Sequence, residues 1–181
     1  MKFFALSVTA LVFLAFGVIA SACGDDGGGG LSLEEYFQQV DASFEDRDQQ
    51  VQALGEGASL PDDASEEDIA SYLRDQFEEL ASITSDWRSQ VDELEPPSEA
   101  EDAHNELLVA LEEVLALFEG AADEVPATLS LEEAGQYDPF PGGEGTESFT
   151  RLDEACAALQ TIADDNSIDA DLACEGAEEE G

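Results

Sequence analysis

Residues 66–97 read EEDIASYLRDQFEELASITSDWRSQVDELEPP, and this stretch decides the fold. Its apolar residues fall at Ile69, Leu73, Phe77, Leu80, Ile83, Trp87, Val91 and Leu94. Steps of three and four put all eight on one stripe of a helix, with Tyr72 flanking it and charged residues opposite. The spacing predicts a helix from Glu66 to Leu94, roughly 43 Å long at 1.5 Å per residue. Pro96-Pro97 ends it, because proline lacks the amide donor and clashes with the preceding turn. Trp87, on the stripe between Ile83 and Val91, is expected to be buried.

The same periodicity continues on both sides. Upstream, Leu33, Phe37, Val40, Phe44, Val51 and Leu54 follow a 4-3 seam, with Arg47 in its one polar slot. Ser32 and Glu35 have capping-box spacing at its start, and Gly55 stands where a helix-terminating residue belongs. Downstream, Ser98 and Glu101 have the same cap spacing. Leu107, Leu111, Val114, Phe118, Ala121 and Val125 then lead to Pro126. The connection across Pro96-Pro97 is short, so these two helices should pack antiparallel.

Leu129-Ser130-Leu131-Glu132-Glu133 repeats Leu31-Ser32-Leu33-Glu34-Glu35 and reads as one N-cap chemistry used twice. Pro139, Pro141 and neighbouring glycines interrupt order before a last helix, about 147–164, carrying Phe149, Leu152, Cys156, Leu159 and Ile162. Ile168 and Leu172 can return the tail toward Cys174. No segment alternates with period two. The expectation is an all-α fold, a four-helix up-and-down bundle over 31–174 with a disulfide-tied C-terminal tail and a disordered acidic end at 175–181.

The N-terminus carries different information. Lys2 precedes an apolar run from Phe3 to Ile19, and Ala20-Ser21-Ala22 lead into Cys23. These residues resemble a lipobox, which directs diacylglyceryl transfer to the cysteine and cleavage before it, although Ala20 stands where leucine is commonest. Residues 1–22 are then a lipoprotein signal peptide. Cys23 and the Gly/Asp stretch to Gly30 become a lipidated flexible tether. An uncleaved transmembrane anchor is the competing reading of the same run. Two acyl chains suffice for stable anchoring, so the protein is expected at the cell membrane, on its extracytoplasmic face.

Export removes Lys2. Residues 23–181 then carry 45 acids against four arginines, a net charge of −41, and no lysine. Hydrophobic content is an ordinary 43 %, so the acidity belongs to the surface of a folded domain rather than to a solvated tail. Nucleic acid is a poor partner for want of a basic footprint, while cations or a basic envelope protein would be attracted. Crowded carboxylates should hold their protons more tightly in the fold. Cys156 and Cys174, the two cysteines left after lipidation, are expected to pair in an oxidising compartment.

Residues that could carry chemistry are few. Glu101-x-x-His104 is half of a carboxylate-histidine metal motif. The chain has one histidine, so a di-iron site of that kind cannot be completed. A simpler metal site at Glu101 and His104 is set against a structural histidine in a helix's first turn. Tyr137 and Phe140 share a proline-bearing loop. They either tuck onto the end of the bundle or form a candidate partner-binding patch. A Ser/His/Asp hydrolase would need a nucleophile elbow and an α/β pattern, and neither is present. The cysteines form no C-x-x-C pair, and Gly27–Gly30 follows no strand. No catalytic residue and no cofactor is expected. The function is read as non-enzymatic binding, with a carboxylate-rich metal-binding protein as the alternative.

Two stretches together resemble a known group. One is Leu94-Glu95-Pro96-Pro97-Ser98-Glu99-Ala100-Glu101-Asp102-Ala103-His104. The other runs from Ala155-Cys156-Ala157-Ala158-Leu159-Gln160 to Ile168-Asp169-Ala170-Asp171-Leu172-Ala173-Cys174. They are similar to a loose group of uncharacterised secreted lipoproteins, commonest in actinobacteria. In that group a Pro-Pro turn opens a histidine-bearing helix and two cysteines close the C-terminus. The resemblance implies an envelope location and a helical domain, and no activity.

Overall fold

A computed structural model describes residues 31–57, 60–61 and 63–172. They form an all-α fold: α1 (Leu33–Gly57), α2 (Glu66–Asp92), α3 (Glu101–Glu124), the single-turn α4 (Leu131–Ala134) and α5 (Glu144–Asp165). The four long helices are those the apolar spacing predicts, and α4 is the short turn expected at the repeated motif. No helix among the described residues is long and apolar enough to cross a membrane.

Three of the helices open on the same device. The Ser32, Ser65 and Ser130 hydroxyls accept from the backbone N–H of Glu35, Asp68 and Glu133, and each carboxylate accepts from its serine's N–H. Two orphan donors are satisfied at each start. The box expected at Ser98 and Glu101 does not form. The amide of Ala100 donates instead to Pro97 O (2.9 Å), so the Pro-Pro segment makes one more turn before α3 begins. Ala100 becomes the N-cap and contributes no side-chain bond, while the Ser98 hydroxyl donates to Glu99.

Successive long helices pack side by side in opposite senses. Residues 50–57 of α1 lie beside 75–79 of α2, while Ser43 reaches Trp87. Arg88 on α2 bonds Glu112 on α3, while Arg74 reaches the carbonyls of Val125 and Pro126. On α5, Ile162 lies by Glu99 and Asp102, and Thr146 lies by Leu117.

The main core gathers Tyr36, Phe37, Val40 and Phe44 from α1, with Trp87, Val91, Leu107, Leu111, Cys156 and Leu159. Trp87 is buried as the stripe requires, its indole N–H directed at the Ser43 hydroxyl (3.3 Å) and its ring edge-on to Phe44. The tail joins this core. Gln160 donates to Ala170 O (2.9 Å) and accepts from the Leu172 amide (3.1 Å), which seats Leu172 with no exposed surface. A smaller cluster of Ile69, Ala70, Val125 and Leu129 closes the other end.

α1 departs from its expected seam. Val51 is exposed, Gly55 lies inside the helix, and α1 runs on to Gly57. Tyr36, off the 4-3 seam, is instead fully buried. The physical reason is a change of surroundings along α1. Its first half faces the whole core, which favours a wide apolar face, and its last turns lie along α2 with their outer face in solvent. Leu131 likewise repeats Leu33 in sequence but is 71 % exposed, so the motif repeats its cap and not its packing.

Candidate functional site

Two of the sequence-predicted positions, Cys23 and Cys174, lie outside the described residues. Cys156 is buried on α5 within the main core, on the helix whose Gln160 fixes the returning tail.

The Glu101–His104 pair separates in the fold. Glu101 is exposed on the first turn of α3. His104 is 3 % exposed, and its Nδ1 lies 3.0 Å from the Tyr36 hydroxyl. Among the described residues, no group of three or more histidine, cysteine or acidic side chains could hold a metal ion. The helix places both residues in its first turn, three apart, but the core claims one and solvent the other. His104 therefore reads as a structural histidine bonded across the core. Burial lowers its proton affinity, opposed by the charge of Asp92. Burial raises the Tyr36 pKa far above the ordinary phenol value, so this hydroxyl keeps its proton. Tyr36 was not legible as a site residue. It precedes Phe37 on what the seam treats as a flank, and its partner is 68 residues away in the chain.

The two rings of the aromatic loop are half-buried. Phe140 sits among Phe77, Phe118 and Phe149, with ring centroids 5.9–6.4 Å away, so one phenylalanine from each of α2, α3 and α5 surrounds it. Such tilted and edge-on contacts suit the ring quadrupoles. Tyr137 packs against the smaller cluster. Burial, and secondarily the charge of Glu124, raises its pKa. Both rings are partly withdrawn from solvent against apolar side chains of the helices, which favours this placement.

What faces outward is carboxylate. All four arginines are engaged within the fold. Arg47 pairs with Asp48, and its guanidinium carbon stands 4.5 Å above Trp87 and 5.1 Å above Phe44. Arg74 donates to the last carbonyls beyond α3, where a cation complements the helix dipole. Arg88 pairs with Glu112, and Arg151 with Glu113 and, at 4.0 Å, Glu106. Open grooves between the helices carry the consequence. The α3/α5 groove of about 840 Å³ has Glu113, Glu147 and Glu154 on its walls, with Arg151 the one cation among them. The α2/α3 groove of about 540 Å³ has Glu78, Asp86, Glu119 and Asp123. The serine-capped acids Glu35, Asp68 and Glu133 have lowered pKa values, from the serine hydroxyl bond first and the serine amide second. They stay ionised more firmly than ordinary carboxylates.

No protein-family model, curated protein or solved structure matches the chain.

Proposed function

We propose that this is a lipid-anchored, extracytoplasmic, non-enzymatic binding domain. It is held to the membrane through Cys23 and presents a carboxylate surface to a basic envelope protein or to cations. The helices form a four-helix up-and-down bundle, and a Cys156–Cys174 disulfide ties down the tail that Gln160 already grips. The reading places the chain with the secreted lipoproteins that its Pro-Pro turn and C-terminal cysteines resemble.

One observation carries the binding role: every arginine already has carboxylate, carbonyl or aromatic partners of its own. Among the described residues, the remaining acids have no unpartnered arginine left to meet. A surface of one sign attracts oppositely charged partners and speeds their encounter.

The experiment uses the absence of lysine from residues 23–181. A zero-length carbodiimide cross-linker joins carboxylates to amines, and the mature chain offers almost none of the latter. Applied to cells displaying the anchored chain, it should couple the domain to lysine-bearing envelope proteins. The yield should fall as salt rises, since the Debye length shortens from about 10 Å at 0.1 M to about 3 Å at 1 M. Coupling no greater than that of a charge-neutral anchored control, or insensitive to salt, would rule the role out.

A further inference from the structure

We propose that the Tyr36–His104 hydrogen bond is an acid-sensitive latch, and that protonation of His104 loosens the first half of α1 from the core. Tyr36 has no exposed surface and His104 only 3 %, and the hydroxyl stands 3.0 Å from Nδ1. The geometry fits donation either way; we take the neutral ring as protonated on Nε2, so that the Tyr36 hydroxyl donates to Nδ1. A second proton on the ring turns both nitrogens into donors. The Tyr36 oxygen must then accept, and its own proton loses the one partner it has among the described residues. In a site sealed from water that donor has no substitute.

The surroundings do little to hold a cation there. His104 lies in the first turn of α3, where the helix dipole and free amides favour negative charge. From α2, Asp92 is the charged group that acts on it. From α1 the facing titratable group is Tyr36, kept neutral by burial. On α3 itself, Glu101 is exposed a turn away and makes no bond to the ring. From α5 the same core holds Cys156, Leu159 and Ala163, of which the Cys156 thiol is the titratable group, and the tail adds Leu172 with exposed Asp171 beside it in the chain.

The element that responds is α1. Its backbone packs along α2, and the hydrogen bond is its polar tie to α3. Tyr36 sits beside Phe37, edge-on at 5.2 Å, so moving its ring disturbs the residues that dock this helix.

Hydrogen exchange of the full chain at pH 7.5 and 5.0, corrected for intrinsic rates, tests this. Peptides covering 33–47 should lose protection relative to peptides covering 107–122 on going to pH 5.0. The loss should be absent in His104→Gln, which cannot titrate. Unchanged α1 protection, or equal loss in His104→Gln, overturns the proposal. Should that variant not fold, the wild-type His104 ring can be titrated by NMR. A midpoint below about 6.5, with Tyr36 signals moving in step, is expected; a midpoint at or above that value, or an unmoved Tyr36, overturns it. Neither readout depends on the anchor or on a partner.

Discussion

Among the described glycines, Gly145 is the one where an added Cβ would clash. A Cβ built there would stand 2.8 Å from Phe140 Cβ and Cγ, closer than carbon atoms approach without something shifting. Phe140 is held by three other rings, so it has little room to give. Gly145→Ala should therefore destabilise the fold by about 1–3 kcal/mol, the range for overpacking. Gly120 is the contrast, an exposed position inside α3 with nothing within 4 Å of an added Cβ. Gly120→Ala should stabilise by about 1 kcal/mol, the helix-propensity difference. Urea unfolding of both variants checks the pair, and midpoints moving in the same direction would contradict it. Neither glycine's role follows from sequence alone, since the chain order does not show what occupies the space beside each. The aromatic residues of 137–140 were visible as a group, but whether they turned inward depended on the three phenylalanines around them.

At the scale of elements, helix positions were legible and their ends less so. Apolar spacing located four long helices, because a continuous stripe must be buried whatever the partners are. Serine caps at Ser32 and Ser130 followed from a local rule and formed as expected. Ser65–Asp68 obeys the same rule with aspartate in place of glutamate. The Ser-x-x-Asp spacing makes it legible in the sequence as well. Ser98 failed as a cap because a backbone bond from Ala100 to Pro97 displaced the helix start. The difference is measurable. Ser65→Ala should cost about 1 kcal/mol, the usual value for losing an N-cap. Ser98→Ala should fall within about 0.5 kcal/mol of wild type, as surface changes do. Equal costs at the two serines would show that the assigned start of α3 is wrong. The exposure of Val51 and the burial of Tyr36 were not legible, because both depend on where along α1 the rest of the core ends.

Over the whole molecule, charge dominates. A chain whose residues 23–181 carry −41, with its arginines engaged internally, repels itself, and unfolding relieves that repulsion by spreading the charges. Thermal unfolding at pH 7.5 should shift upward in 1 M sodium chloride, and an unmoved or lowered midpoint would refute the repulsion. High salt also isolates the pH dependence of individual groups. Burial lowers the folded pKa of His104, so its contribution is present above the ordinary histidine value and lost as pH falls through the folded one. The serine-capped acids have the same sign, in the lower window of carboxylate titration. Asp153, whose pKa burial raises, has the opposite sign. In 1 M salt, the midpoint should therefore drop between pH 7.5 and 5, and less so in His104→Gln.

Fold class was legible in the sequence at this scale because periodicity and charge are sums over many residues. The proposed function rests more narrowly, on the lipobox-like passage from Ala20 to Gly30 and the proposal that it anchors the helices to a membrane. The direct measurement is the intact mass of the chain recovered from membranes of an expressing bacterium, with Cys23→Ser in parallel. The account predicts a wild-type chain that begins at Cys23 and carries the added mass of acyl chains, and a Cys23→Ser chain without them. A membrane-bound chain that still begins at Met1, or a chain cleaved at Cys23 without acyl mass, would contradict it.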